Sequence, residues 1–258
     1  VTADQYRSNV DRTHSERLVL VTRGRQILIL VLQGYIFFGT ASGIYQRLQD
    51  EVEGNPDVKF VVLDFRRVSG LDFSGVVSFV KMLQLAAQKG FCVIFTQVPE
   101  SVDTVFHYSE FQIKQNVCTA IFPDLDRGIE FCENELIQSV PEVLPESTGD
   151  ALPELLGRPF SAGDARRRLM DYLAKRTVSA GTELIRGGDR SRSLFVVESG
   201  KVSALLPLEN GSTVRLRTMS GGSVVGEIGM YLDLPRTASI TAEEETTVYE
   251  LTELQLNR

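Results

Sequence analysis

The 258-residue sequence contains no tryptophan, only three cysteines and only two histidines. Cys92, Cys118 and Cys132 are too few and too scattered for a disulfide framework or a zinc site, so no metal is expected. Cys92 and Cys118 lie in apolar runs, which predicts buried thiols and a reducing compartment. With only His14 and His107, histidine offers little for metal binding or acid–base catalysis. The composition therefore argues against a metalloenzyme.

Positive charge is also scarce, because 27 Lys and Arg stand against 34 Asp and Glu, for a net charge of -7. A general nucleic-acid binder needs a basic face, so nucleic acid is not an expected partner. The longest apolar run, residues 27–38, is interrupted by Gln33 and Gly34 and is shorter than the roughly 20 residues of a membrane span. We therefore expect a soluble chain. Its last residues resemble the start of a helix, which predicts a piece of a longer protein.

Residues 18–140 alternate strand-like and helix-like patterns. Apolar runs at 18–21 and 27–32 around the Arg-Gly-Arg of residues 23–25 predict a β-hairpin. Thr40 is the predicted N-cap of the helix that follows. Residues 58–63 are almost continuously apolar, as expected of a central strand that is covered on both faces.

The same alternation continues to the end of this half. Residues 68–75 predict a tight turn that opens a second helix, and Gly90 ends it. Further strands are expected at 91–95 and 117–122, and a closing helix over 123–137. Strands that alternate with helices in this way predict an α/β layer structure.

A different pattern follows a proline-rich stretch. Residues 141–160 predict a semi-extended linker, and a short helix is expected from about 161 to 175. From Thr177 onward, short strands are separated by glycines or turn pairs, which predicts an all-β sandwich or jelly roll. Asn210-Gly211 between two alternating runs predicts a hairpin, because both residues tolerate a positive φ.

Residues 226–240 (GEIGMYLDLPRTASI) interrupt these strands. The pattern predicts about one helical turn, whose exposed amides favour an anion, followed by a return through Pro235 and Arg236. The arginine adds a fork of donors for phosphate oxygens, and the carboxylate of Glu227 can accept hydrogen bonds from a sugar hydroxyl. Together these residues predict a cup for a phosphorylated sugar.

This segment resembles the phosphate-binding cassette of cyclic-nucleotide-binding domains, and the resemblance covers about residues 161–258, including 194–200 (LFVVESG). It implies a jelly roll with flanking helices that is truncated before the C-terminal helix of the family, which closes over the base. One departure is Val225, where the family usually has an aromatic residue. The implied ligand is cAMP or cGMP, and Thr237 hints at cGMP; no cofactor is required.

By this resemblance Glu227 would bind the ribose 2′-hydroxyl and Arg236 the cyclic phosphate. A hydroxyl or amide of Thr237 and the amides of Ile228 and Gly229 would complete the cradle. The full implied set is Gly226, Glu227, Ile228, Gly229, Arg236, Thr237 and Ala238. The alternative is that Arg236 and Glu227 only pair with each other or with the linker, in a domain that has lost its ligand.

The first half, about residues 17–140, resembles the STAS domain of bacterial anti-sigma-factor antagonists and of sulfate-permease (SulP) transporters, which implies an α/β fold with a mixed β-sheet and helices. Three stretches carry the resemblance: 32–41 (LQGYIFFGTA), 61–65 (VVLDF) and 69–75 (SGLDFSG). In the antagonists a kinase phosphorylates a hydroxyl residue in the last of these loops. Phe73 occupies that position here, so no phosphorylation is expected, and Asp72 and Ser74 are expected to be helix caps.

A STAS domain followed by a cyclic-nucleotide-binding domain is similar to the cytoplasmic C-terminal region of some SulP transporters, including fungal vacuolar members. The resemblance implies a non-enzymatic regulatory module of an anion or related solute transporter, at the cytoplasmic face of a plasma or vacuolar membrane. Residues 1–16 would then be the lead-in from the membrane domain. That domain is the implied partner, and a homodimer is also expected. The alternative is a soluble STAS and cyclic-nucleotide sensor-adaptor that acts through protein–protein interaction.

An enzyme is not expected, because Asp64, Asp72 and Glu227 are not spaced as a carboxylate pair and no nucleophile, base and acid set is visible.

Overall fold

The computed structural model describes residues 2–3, 5–108, 118–140, 172–190, 193–208 and 211–252. The chain divides into two compact units, the first made of residues 1–8 and 12–143 and the second of residues 9–11 and 144–258. The predicted linker, most of the helix predicted over 161–175 and the last six residues lie outside the described ranges. No described helix combines the length and the apolar character that a membrane crossing requires.

The first unit is an α/β structure, as predicted, although its four described strands form a parallel sheet and not a mixed one. Its four strands form one sheet in the order β1-β2-β3-β4, and all three neighbouring pairs are parallel. An antiparallel bridge from Thr2 to Leu28 adds a short contact on β1. The elements are α1 (His14–Arg23), β1 (Ile27–Ile36), α2 (Phe38–Gly54), β2 (Phe60–Leu71), α3 (Phe73–Lys89), β3 (Cys92–Thr96), α4 (Glu100–Tyr108), β4 (Thr119–Phe122) and α5 (Leu125–Gln138).

The sheet lies between two layers of helices, because alternate side chains of each strand point to opposite faces. Val61 and Leu63 of β2 pack in one core cluster with residues of α2 and α3, such as Leu48 and Phe79. Phe60 and Val62 of the same strand pack in a second cluster with residues of α5, which include Ile129, Cys132 and Leu136. Burial on both faces explains why the predicted central strand is almost continuously apolar.

The predicted hairpin around residues 23–25 is wrong. Residues 14–23 form α1, and a 3-10 turn at Gly24–Gln26 leads into β1. The physical reason is a capping box: the Thr13 hydroxyl accepts from the Glu16 amide, and the Glu16 carboxylate accepts from the Thr13 amide. This Thr-x-x-Glu spacing is visible in the sequence. It favours a helix more strongly than the short apolar run at 18–21 favours a strand.

The cap of α2 is also one turn from its predicted place. Phe37 is the N-cap, and Thr40 is the third helical residue, whose hydroxyl accepts from the Phe37 amide at 2.9 Å. In contrast, two predicted ends of α3 are confirmed. At the N-terminus, the Asp72 carboxylate accepts a hydrogen bond from the Gly75 amide at 2.8 Å. At the C-terminus, Gly90 closes the helix with φ of 79°. The predicted turn over 68–75 starts later, because β2 continues to Leu71 and pairs with β1 along its length.

The cysteine prediction is wrong as well. Cys92 and Cys118 form a disulfide, whereas Cys132 is a buried free thiol whose pKa is raised by burial. The reason is the sheet register: Val93 on β3 pairs with Thr119 on β4, so the residues just before them are also neighbours. A pair 26 residues apart in sequence is therefore adjacent in the fold, which scattered spacing could not indicate.

The second unit has the predicted jelly-roll architecture. Two four-stranded sheets, β10-β7-β12-β5 and β6-β11-β8-β9, pack around a core that includes Phe195, Val197, Val202 and Val248. The elements are β5 (Ala174–Val178), β6 (Glu183–Ile185), β7 (Ser193–Ser199), β8 (Lys201–Pro207), β9 (Thr213–Ser220), β10 (Val224–Val225), α6 (Glu227–Tyr231), β11 (Ser239–Ala242) and β12 (Thr246–Thr252).

Two details of this unit bear on the predictions. The helix expected to end near residue 175 cannot extend that far, because Ala174 already begins β5 and pairs with Glu250. The predicted hairpin is confirmed between β8 and β9, where Pro207 pairs with Thr213 and Gly211 has φ of 81°. Asn210 lies outside the described residues.

Candidate functional site

The chain between β10 and β11 forms a loop around one short helix, as the sequence predicts. Gly226 is the N-cap of α6, with φ of 86°, and α6 is five residues long. The chain then returns through Pro235 and Arg236 to Ser239. A cavity of about 270 Å³ opens beside this loop. All seven predicted ligand residues line it: Gly226, Glu227, Ile228, Gly229, Arg236, Thr237 and Ala238.

Glycine at two positions of the loop makes room for Arg236. A Cβ on Gly226 would lie 2.7 Å from Ile185 Cδ1 and 2.9 Å from Arg236 Nη1, and its positive φ also favours glycine. A Cβ on Gly229 would lie 3.1 Å from both Cδ and Nη1 of Arg236. The close approach of one guanidinium thus favours glycine at both positions.

Arg236 is buried, with 5% of its surface exposed. Its Nη1 donates to the carbonyl oxygen of Gly226, and its Nη2 donates to the carbonyl oxygen of Ser193. Its backbone is fixed too, since its amide donates to the backbone carbonyl of Asp189 at 2.9 Å and its carbonyl accepts from the amide of Gly188 at 2.8 Å. The two terminal nitrogens therefore hold the guanidinium in one orientation at the cavity wall.

One donor of this guanidinium is unused. Arg236 Nε is buried and has no hydrogen-bond partner among the described residues. Burial lowers the pKa of Arg236, and the nearby carboxylate of Glu227 opposes that shift. A buried cation with an unsatisfied donor at a cavity is stabilised by an anion, because an unmade buried hydrogen bond is costly.

Glu227 is the first residue of α6 and is partly buried. No hydrogen bond or ion pair joins it to Arg236 in the described part of the chain, so the alternative in which the two side chains only pair with each other is not what the structure shows. Its carboxylate lines the cavity and can accept hydrogen bonds from a hydroxyl group of a ligand.

The sequence did not indicate one charged residue of the cavity. Arg217 of β9 lines the cavity next to Leu216. A strict alternation of side chains would place these neighbours on opposite faces. The register shifts between Ala204 and Leu205, which pair with Arg217 and Arg215, so Leu216 is an extra residue in β9. The bulge brings both side chains to the cavity, and the Arg-Leu-Arg sequence gave no signal of it.

The loop before α3 is the second predicted site. Phe73 is the first residue of α3 and is 65% exposed. Ser74 donates to Asp72 Oδ1 at 2.6 Å and accepts from the Phe38 amide at 3.2 Å, so it braces the loop while Asp72 alone caps α3. No group of three or more potential metal-ligating side chains occurs in the described ranges.

The two units correspond to two known domain families. Residues 19–127 match the STAS domain family, and residues 175–258 match the cyclic nucleotide-binding domain family. The chain therefore contains an α/β STAS domain with a parallel sheet, followed by a β-rich cyclic nucleotide-binding domain. This pair of domains supports a regulatory or sensor role.

Several curated proteins are similar to parts of the chain. Glutaminase 1 of Bradyrhizobium diazoefficiens is 25% identical over 93% of this chain and 37% of its own length. The vacuolar basic amino acid transporter of Saccharomyces cerevisiae is 27% identical over 51% of this chain and 13% of its own length. The cAMP-dependent protein kinase regulatory subunit of Yarrowia lipolytica is 33% identical over 33% of this chain and 22% of its own length. The chain thus spans well under half of each of these relatives.

Proposed function

We propose that the chain is a regulatory region whose second domain binds a cyclic nucleotide, cAMP or cGMP. The observation that carries the proposal is Arg236, a buried guanidinium that lines the cavity, is fixed by two carbonyl oxygens and has no hydrogen-bond partner for Nε among the described residues. A cyclic phosphate is an anion of suitable size for that position. The similarity to a cAMP-dependent kinase regulatory subunit supports the same class of ligand.

The other cavity residues have complementary roles in this proposal. Glu227 accepts a hydrogen bond from the ribose 2′-hydroxyl, since its carboxylate has no partner among the described residues. The amides of Ile228 and Gly229 and the hydroxyl or amide of Thr237 donate to the phosphate. Gly226 and Ala238 keep the wall of the cavity close to the ligand.

Isothermal titration calorimetry of the 258-residue chain with cAMP and cGMP tests this proposal. We expect saturable one-to-one binding of at least one nucleotide, which the Arg236→Ala variant loses. Arg176→Ala is the matched control, because Arg176 forms an exposed ion pair with Glu250 in the same unit and does not line the cavity. If neither nucleotide binds the folded chain, or if Arg236→Ala binds as well as wild type, the proposal is wrong.

For the longer protein, the first candidate is a SulP-type transporter of anions or related solutes. The STAS domain would dock on the membrane domain of the same chain, at the cytoplasmic face of a plasma or vacuolar membrane, and a homodimer would form. The vacuolar transporter relative supports this candidate. The experiment is fractionation of the full-length protein from its native cells: a transporter pellets with membranes and needs detergent for release, whereas recovery in buffer alone contradicts it.

A soluble host protein is the second candidate, and the alignment coverage favours it. Both glutaminases of Bradyrhizobium diazoefficiens align over almost the whole chain, 93% and 95%, whereas the transporter aligns over 51%. The chain would then regulate an attached amidohydrolase or act as a sensor-adaptor, and would itself be non-enzymatic. Ammonia release from glutamine by the soluble full-length protein, changed by added cyclic nucleotide, supports this host; its absence excludes the glutaminase form.

A further inference from the structure

The disulfide of the first unit lies where two neighbouring parallel strands begin. Cys92 is the first residue of β3, and Cys118 comes directly before β4. Both residues also belong to the backbone ladder. The Cys92 amide donates to the Lys59 carbonyl at 2.8 Å, and the Cys118 carbonyl accepts from the Val93 amide at 2.9 Å. The bridge therefore ties β4, the last strand of the described sheet, covalently to its neighbour β3.

The two bridged cysteines differ in their access to solvent. Cys118 is exposed, whereas Cys92 is half-buried and packs against the core cluster that contains Phe60 and Ile129. A thiolate from solution breaks a disulfide by attacking one of its two sulfurs, so access selects the sulfur that is attacked. Exposed bridges are also the reducible ones, whereas structural bridges resist reduction. Cys118 is therefore the entry point for an external thiolate.

The third cysteine does not compete for this role. Cys132 of α5 is 0% exposed and lies in the same core cluster. Burial raises the pKa of its thiol, so it holds almost no thiolate, which is the attacking form. The thiolate that opens the bridge therefore comes from outside the fold.

The strand that the bridge fixes is held weakly by other interactions. Three of the four residues of β4 are partly exposed, and Ile121 is 58% exposed. β4 pairs with β3 over four residues, whereas β2 pairs with both β1 and β3 and its first six residues are buried. A short edge strand with little burial opens locally more readily than a central strand. The covalent link thus contributes more to the position of β4 than to that of β2.

We propose that Cys118 is a thiol–disulfide exchange site, at which a dithiol reduces the bridge and releases the edge strand β4. A thiolate of the dithiol attacks Cys118 Sγ, and the bond to Cys92 Sγ breaks. The electron pair leaves on Cys92 Sγ, which takes up a proton. The second thiolate of the dithiol then attacks the sulfur that is bound to Cys118, and the electron pair leaves on Cys118 Sγ, which also takes up a proton.

The bridge gains two electrons in this exchange, and the dithiol becomes a disulfide. A disulfide oxidant reverses both steps. The redox state of the surrounding thiols therefore sets whether β4 is tied to the sheet. This exchange belongs to the first domain and goes beyond the proposed function, because it needs no nucleotide in the second domain.

Reduction of the folded 258-residue chain tests the exchange site. Dithiothreitol is added without urea, the thiols are alkylated, and mass spectrometry locates the alkylated cysteines. We expect Cys92 and Cys118 to be alkylated while the buried Cys132 stays unmodified. Reduction that requires urea, or that exposes all three cysteines together, overturns the exchange site.

Two single variants test which sulfur is accessible. Cys92→Ser leaves the thiol of Cys118, and Cys118→Ser leaves that of Cys92; circular dichroism shows that each variant is folded. With oxidised glutathione, the thiol of Cys118 should form the mixed disulfide about tenfold faster than that of Cys92, because the attacking and attacked sulfurs must meet in solvent. Equal rates, or a faster reaction at Cys92, overturn the assignment to Cys118.

Amide hydrogen exchange tests the release of β4. After reduction, the amides of Thr119–Phe122 should exchange about tenfold to a hundredfold faster, and those of β2 should change less. The Cys92→Ser, Cys118→Ser double variant is the control and should exchange like the reduced chain with or without reductant. Unchanged exchange in β4, or equal acceleration in β2 and β4, overturns the release of the edge strand.

Discussion

Arg236 donates a hydrogen bond to the carbonyl oxygen of Gly226, the residue whose missing side chain makes room for that same guanidinium. The two residues thus depend on each other. Gly226 has φ of 86°, and Arg236 Nε is buried without a hydrogen-bond partner among the described residues. This relationship gives the loop its shape.

The first prediction concerns Gly226→Ala. The new Cβ is strained at φ of 86° and lies within 3 Å of Ile185 Cδ1 and Arg236 Nη1. We expect a loss of about 2–4 kcal/mol in the free energy of unfolding of the second unit, from strain and overpacking together. Nucleotide binding should be lost as well. Urea denaturation and calorimetry measure the two effects.

Gly181→Ala separates these two causes. Gly181 has φ of 80°, but a Cβ there meets no atom within 4 Å. This variant should lose only the strain, about 1 kcal/mol, and keep nucleotide binding. Equal losses in the two alanine variants would show that the approach of Arg236 to Gly226 does not constrain the loop.

Local patterns in the sequence predict most of the helices and strands. They do not predict contacts between residues that are far apart in the sequence. The loop with Gly226 and Arg236 was predicted because all its parts lie within 15 consecutive residues. The Cys92–Cys118 pair and the Asp11–Arg217 pair depend on strand register, which periodicity does not give. The apolar run at 18–21 favours a strand when it is taken alone, whereas the capping box of Thr13 and Glu16 starts a helix at residue 14.

The second prediction concerns the Cys92–Cys118 disulfide. Closing a loop of 26 residues restricts the unfolded chain, and chain-entropy arguments give about 3 kcal/mol of stabilisation. The first unit should therefore unfold at lower urea concentration after reduction with dithiothreitol. A Cys92→Ser, Cys118→Ser double variant should have the same urea midpoint as the reduced chain, and its midpoint should not change when the reductant is added. Identical urea midpoints with and without reductant in wild type would contradict a disulfide at this place.

The third prediction concerns pH. Burial alone would raise the pKa of Glu198, but hydrogen bonds from Lys175 and Tyr249 lower it below its ordinary value of 4.5. A carboxyl with a lowered folded-state pKa adds stability above its unfolded pKa, and that stability is lost as pH falls through the folded pKa. The Glu198 contribution should therefore be complete near pH 6 and disappear in strong acid.

Glu198→Gln tests this sign. The variant should be less stable than wild type at pH 6 by about 1 kcal/mol or less, because the cluster is partly exposed. The difference should shrink as the pH is lowered below about 4.5. A difference that grows on acidification would contradict the assigned direction. Thermal unfolding followed by circular dichroism across this pH range gives the comparison.

The fourth prediction concerns Glu133, which is 1% exposed in the first unit. Its carboxylate accepts from the Ser8 amide at 3.2 Å and forms an ion pair with Arg12 at 3.0 Å. Arg12→Met leaves the carboxylate buried without its partner charge and should cost about 3–5 kcal/mol. The Arg12→Met, Glu133→Leu double variant should recover much of that loss in urea denaturation. If the double variant is less stable than Arg12→Met, the loss of stability in Arg12→Met does not come from the unpaired charge of Glu133.

The proposed function requires that the unsatisfied Nε of Arg236 receives the anion of a cyclic nucleotide. The most direct measurement is the Arg236 Nε–H resonance in a proton–nitrogen NMR spectrum of the labelled 258-residue chain, assigned by its loss in Arg236→Lys. We expect this resonance to move downfield in a saturable way as cGMP or cAMP is added, with the affinity found by calorimetry. Binding of a nucleotide that leaves the resonance in place, or no response to either nucleotide, would contradict it.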